Sequence, residues 1–429
     1  MARTPSKRST QASYFADLGE RVLARWRAHD HADAMLPPIA EEELLRRPPH
    51  EHVSAWDLAQ VGRHPGRMLE QGAAGFGQPP LAVWGSAGMY IELLYWSTST
   101  TAIHQHSFSG AFAVLEGSSV HTQYTFRPDQ EVSDHFHLGR LTWTSSEFLP
   151  QGSARAIRSG PQFIHALFHL DHPSVSVVVR NYHDDGAPPQ MGYAHPGIGI
   201  EDANADPRLV RALELYRMLV DVGRVRDAEQ LVRGIVGGAD LMAVFLALAA
   251  IGDTAAERPI AERVRAHATA RHGAIVDTMT AAIANEAEAR RFTLLRSRVT
   301  DPDLRFFLAL LLVVPTPAAL RRLVAERVPG QDVATTMHRW LTALAAMNAL
   351  TFPLDATQLR LLEHMIRGRT FPEIVQAVAR EDGRPVTAAQ RTHLRAMHQA
   401  ITTAPYLDRL VARVPAAPAP RGAPRRRGR

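Results

Sequence analysis

The period of apolar and polar positions changes along the chain, and the changes mark its elements. From Tyr14 to Arg27 the residues Phe15, Leu18, Val22 and Trp26 recur at helical spacing, which predicts an amphipathic helix. A Pro-rich connection follows at Pro48 and Pro49. Between about Pro80 and Tyr182 come short runs rich in Val, Ile, Thr, Tyr and Trp: MYIELLYW, AFAVLEG, VHTQYTF, GRLTWTS, FIHALFHL and SVSVVVRNY. Gly, Pro, Ser and Asp separate them. Residues of this kind fit a pleated, half-buried surface, so the runs predict an all-β sandwich or barrel. Past the connector AHPGIGIEDANADP, segments such as LVRALELYRMLVDVG, RDAEQLVRGIVGG and LMAVFLALAAIG carry the helical period to about Arg413. They show no strict repeat. The expected class is α+β multidomain. Residues 1–75 form a helical segment packing on the barrel, 76–200 the β-barrel, 205–413 an all-α domain, and 414–429 a disordered basic Pro/Arg tail.

A chain of 429 residues exceeds what one core usually serves, in keeping with two or three domains. Cysteine is absent, which excludes disulfides, thiolate metal sites and a cysteine nucleophile. Any metal must therefore sit on His, Asp or Glu. The opening MARTPSKRSTQASYF lacks an apolar stretch of signal-peptide length, and the run FFLALLLVV from Phe306 to Val314 is too short to span a bilayer. A cytoplasmic protein without membrane contact is expected. Of the net charge of +5, the five tail arginines Arg421, Arg425, Arg426, Arg427 and Arg429 account for all of it. The body is balanced, so nucleic-acid contact is expected only as weak, non-specific attraction to the tail.

Histidine supplies the candidate chemistry. In AIHQHSF, His104 and His106 stand two apart in an extended run, so both imidazoles aim at one face. Gly117 follows eleven residues later, then PQG at 150–152, a short strand, and His165 thirteen residues after Gly152. His135 and His137 in DHFHLG form a second such pair, expected to be a solvated hairpin. His121, His169 and His172 are expected around the site or on the surface, and Glu116 outside it.

The order of His-x-His, Gly, a Gly-led strand and one further His resembles the two metal-binding motifs of the cupin family. The resemblance implies a double-stranded β-helix, or jelly-roll barrel, around a metal. The family's usual Glu ligand falls four or five residues after the second His, here on Gly110 and Ala111, so the implied ligand set is His104, His106 and His165. Among cupins that set resembles the thiol dioxygenases, the cysteine dioxygenase group, over about residues 76–183. IHQHSFSGAFAVLEG and FIHALFHLDHPSVSVVVRNY follow that group's rhythm.

The resemblance implies Fe(II) with O2 as co-substrate and a small organic or thiol-bearing substrate. His ligands also suit Ni, Co, Cu or Zn. The group's Ser-His-Tyr relay falls on Ser176, Val178 and Arg180, with Tyr182 expected to stand in for the tyrosine. Gln78 and Trp96 are expected to bind substrate; either that substrate is not a small carboxylate, or Arg127, Arg155 or, first among them, Arg180 reaches the cavity to anchor it. A rival class is a ligand-sensing regulator. Residues 359–401 resemble a response-regulator helix-turn-helix bearing Arg391, His393 and Arg395, and also read as three ordinary bundle helices. The helical half is thus a candidate surface for a protein or DNA partner.

Overall fold

The computed structural model describes residues 7–71, 76–97, 101–404 and 406–411, so the expected Pro/Arg tail lies outside the described residues. Helices α1 (Lys7–Arg27), α2 (Leu36–Arg46) and α3 (Ala55–Ala59) come first. The stripe of Phe15, Leu18, Val22 and Trp26 is buried together with Leu36, Ile39 and Leu44 against strand residues including Met89, Ile91, Val177 and Val179.

Eleven strands follow among the described residues: β1 (Pro80–Gly85), β2 (Met89–Trp96), β3 (Ile103–His104), β4 (Gly110–Glu116), β5 (Ser119–Ser133), β6 (Phe136–Leu149), β7 (Ala154–Ile157), β8 (Ile164–His169), β9 (Ser174–Asn181), β10 (Gly192–Ala194) and β11 (Ile198–Ile200). One sheet has the order β1-β2-β9-β4-β7, and the other closes as β10-β11-β6-β5-β8-β3. This is the expected jelly roll, with every strand pair antiparallel. Its closure comes from two short strands, β10 at the start of the stretch read as a connector and β11 within it: β10 pairs with β3, placing Gly192 opposite His104.

Alternation along the strands decides what faces inward. On β2, Met89, Ile91, Leu93 and Tyr95 join the core under the N-terminal helices, while Glu92, Leu94 and Trp96 line a cavity. On β9 the cavity receives Ser176, Val178 and Arg180, and the opposite face carries Val175, Val177 and Val179. The cavity therefore lies between the two sheets, fed by both.

Helices α4 (Pro207–Asp221), α5 (Val225–Val236), α6 (Leu241–Ala250), α7 (Arg258–His272), α8 (Ile275–Arg296) and α9 (Pro302–Val313) follow. Then come α10 (Pro317–Arg327), α11 (Val333–Ala346), α12 (Ala356–Ile366), α13 (Phe371–Glu381) and α14 (Ala388–Thr403). The chain divides into two compact units, 1–309 and 310–429, so the division falls inside α9 rather than at the change from strand to helix near residue 205. The physical reason is a shared core. The hairpin of β5 and β6 is 15 and 14 residues long, and at its far end Phe136 is fully buried with Leu138, Ala194 and Ile198 among Tyr216, Val232, Phe245 and Met279. In the second unit, Arg360 of α12 bonds Glu381 of α13 at 2.7 Å, and adjoining Asp382 at 2.8 Å. Capping boxes open α12, α13 and α14. Among the described residues no helix is long and apolar enough to cross a membrane.

Candidate metal centre

His104 ends β3, His165 sits opposite it on β8, and His106 is held by a bridge to Ser159. Pairing of β3 with β8 brings together side chains that are far apart in sequence. One ring nitrogen from each of the three lies within 4.8 Å of the others, and all three residues are buried. The Nε2 atoms of His106 and His165 are 2.9 Å apart. Two nitrogens bound at right angles to one ion, each at about 2.1 Å, lie about 3 Å apart, so this spacing fits two adjacent ligands. His104 donates from Nδ1 to the Ala102 carbonyl at 2.8 Å, which leaves its Nε2 as a lone pair.

Burial holds His104 down at about 4, and drives His106 and His165 well below the usual imidazole value, with His104 as the next contributor. Neutral imidazoles are the metal-binding form, so the donor set fits a divalent ion at neutral pH.

The positions where the resemblance would put a carboxylate ligand, Gly110 and Ala111, cannot take one. A Cβ added at Gly110 would meet the Val179 carbonyl oxygen at 2.1 Å, and Ala111 packs in the core under the N-terminal helices. Among the described residues the three histidines are the only group of this kind.

The cavity beside them is walled by Phe76, Leu94, Phe112, Ile157, Leu167 and Val178, and leaves room of about 50 Å³ for the centres of water-sized molecules. That is enough for a small substrate of a few heavy atoms. Trp96, Ser176 and Arg180 line it. Gln78 and Tyr182 do not. Gln78 is exposed, and its side chain accepts from Ser97. Tyr182 is 55% exposed and donates to the Ser86 carbonyl at 3.1 Å. The alternation that would have turned it inward ends with β9 at Asn181, whose amide donates to Asp184 at 2.6 Å.

Arg180 is fixed over the Phe108 ring at 3.2 Å and donates from Nε to the Asn181 carbonyl at 3.2 Å. Its Nη1 lies 3.7 Å from Glu92, a cavity residue that sequence reasoning missed. Burial raises the Glu92 carboxyl above its ordinary value, against the opposing pull of Arg180. The available signal was a single charge inside MYIELLYW, on the same strand face as Trp96. His121 and Glu147, also missed as a pair, stand directly behind His165: His121 lies 3.0 Å from His165 and 2.9 Å from Glu147. The second His-x-His pair lies far from this site, with His135 against Glu201 at 2.7 Å.

No protein-family model matches the chain, and no curated protein matches it. Among solved structures it is similar to the DMSP lyase DddQ from Ruegeria pomeroyi, at 13% identity and TM-score 0.22 over 44% of this chain and 99% of that one. It is similar to a sugar phosphate isomerase from a cupin superfamily of Silicibacter pomeroyi, at 14% identity and TM-score 0.21 over 34% of this chain and 94% of that one. It is also similar to oxalate oxidase in complex with glycolate, at 18% identity and TM-score 0.17 over 30% and 57%. At these TM-scores the likenesses carry no functional weight.

Proposed function

We propose that this protein is a mononuclear metal-dependent enzyme of the oxygenase type, using Fe(II) and O2 on a small organic or thiol-bearing substrate. The supporting observation is three buried neutral imidazoles converging beside an apolar cavity, with Gly110 and Ala111 closed to a carboxylate ligand. A bound redox-active ion supplies one-electron chemistry and open positions where substrate and O2 meet. The chain's own residues do the rest. The apolar walls exclude water and select a compact, largely apolar substrate body. Arg180, immobilised over Phe108, offers a polar anchor, and Glu92 beside it balances its charge. A neutral or zwitterionic substrate suits that pair better than a simple anion. Glu92 takes the proton-transfer role expected of Tyr182, because a desolvated carboxyl in the cavity is a better-placed acceptor than an exposed phenol. Ser176, buried in the same wall, holds a hydroxyl for orientation.

Protein purified from iron-supplemented cells should contain near-stoichiometric metal and consume O2 with small thiols or apolar substrates. His106→Ala should lose both properties and His137→Ala neither. Equal loss in the two variants overturns the reading.

A second reading, a ligand-sensing regulator, is favoured by α14, where only Leu394 and Ile401 are buried while Arg391, His393 and Arg395 are exposed. Salt-dependent retardation of DNA, without O2 uptake, would select it.

A further inference from the structure

A line of hydrogen bonds runs from the barrel surface to His165 Nδ1, the ring nitrogen opposite the one that faces His106. Arg155 donates from Nε to Glu147 Oε1 at 2.9 Å and from Nη2 to Oε2. His121 Nδ1 lies 2.9 Å from Glu147 Oε1, and His121 Nε2 lies 3.0 Å from His165 Nδ1. Both imidazoles are buried, at 1% and 3% exposure. Burial pushes the Glu147 carboxyl up, but hydrogen bonds from His121 and Arg155 prevail and hold it at about 2.

The protons along this line can be assigned from donor and acceptor capacity. An ionised carboxylate only accepts, so His121 donates its Nδ1–H to Glu147. With His165 binding an ion through Nε2, its proton sits on Nδ1 and is donated to His121 Nε2, which accepts it. The line then has one direction throughout, from His165 through His121 to Glu147, and leaves His165 Nε2 as a lone pair aimed at the point where His104 and His106 converge. The three histidines differ in this respect. A backbone carbonyl fixes His104, whereas His106 Nδ1 is buried with no partner among the described residues.

We propose that His121 and Glu147 are positioning residues that lock His165 in its metal-binding tautomer and orientation. This rests on the reading of the three histidines as metal ligands. A partner of this kind typically changes metal affinity 10–100-fold when removed. The polarity of the line also names the substitute. A glutamine at 121 can donate from its amide to Glu147 and accept at its carbonyl from His165, whereas a leucine fills the space and does neither.

The test uses Co(II) on the full-length chain, with the visible d–d band giving both affinity and ligand field. Wild type and His121→Gln should bind with similar affinity and band position, and His121→Leu about 10–100-fold more weakly with a shifted band. Long-range ¹H–¹⁵N spectra of the metal-free, ¹⁵N-histidine-labelled protein should show His165 protonated at Nδ1 in wild type and a tautomer mixture in His121→Leu. Circular dichroism confirms that each variant is folded. If the glutamine and leucine variants bind Co(II) alike, or if metal-free His165 is protonated at Nε2, the positioning role is wrong. If wild type binds no Co(II), the metal-site reading itself falls, and this inference with it.

Discussion

Arg180 and Glu92 sit on neighbouring strands, and each limits what the other can do in the cavity. Removing the carboxylate charge frees the guanidinium for an anion. Glu92→Gln should therefore tighten inhibition by small carboxylates about tenfold, and Arg180→Leu should weaken it by at least as much, with neutral amides little affected in either. Inhibition constants for matched acid and amide pairs measure this. If Glu92 also accepts a proton, Glu92→Gln should cost about 10²–10⁴ in turnover. Because its pKa is raised, activity should climb with pH through a limb above the ordinary carboxylate range, and that limb should vanish in the variant. At this scale the triad was legible in the sequence from two histidines two apart in an extended run, although β3 ends at His104 and the bridge to Ser159 is what holds His106. The role expected of Tyr182 was not, because alternation holds only while a strand lasts, and β9 stops one residue earlier.

The long hairpin shows why the pairing of His121, expected around the site or on the surface, with Glu147 escaped notice. Counting back from Ser133 opposite Phe136 sets His121 opposite Phe148, but irregularities at three points along the ladder bring Glu147 there instead. A one-residue slip exchanges faces, and no residue pattern in VHTQYTF or TSSEFL announces the bulges. Strand β4 is more predictable once built. Gly110→Ala would force its methyl into the Val179 backbone, so it should cost at least about 2 kcal/mol in chemical denaturation. Gly110→Glu should unfold the sheet before it adds a ligand. Between α1 and α2, buried Glu43 receives Arg21 at 2.9 Å, Arg25 at 3.0 Å and also Arg46. Burial raises its carboxyl, but the three guanidinium bonds outweigh that and hold it below the ordinary range. A lowered folded-state pKa contributes stability that is full above the unfolded value and is lost as pH falls through the folded one. Glu43→Gln should thus cost about 2 kcal/mol at neutral pH, discounted because Arg25 and Arg46 remain solvated, and should flatten the acid limb of the stability curve.

For the molecule as a whole, composition announced several domains and a change of texture near residue 200, yet it could not reveal that helices beyond this change share a core with barrel strands. Periodicity identifies elements, whereas a shared core depends on which apolar faces meet. Two compact units predict two calorimetric transitions, and a divalent ion at a hundred times its dissociation constant should raise only the first unit's transition, by about 2.7 kcal/mol. Movement of both, or neither, contradicts the assignment. The division inside α9 also has a practical meaning for cloning. A gene fragment cut at residue 309 would sever that helix in mid-turn and leave a ragged, apolar end. The natural suture is the non-helical stretch at 314–316, just before α10. A cassette ending there keeps the cavity, the Arg155 line and the helices packed on the hairpin in one portable reading frame. It should load metal as the full chain does, while its 309-residue sibling precipitates.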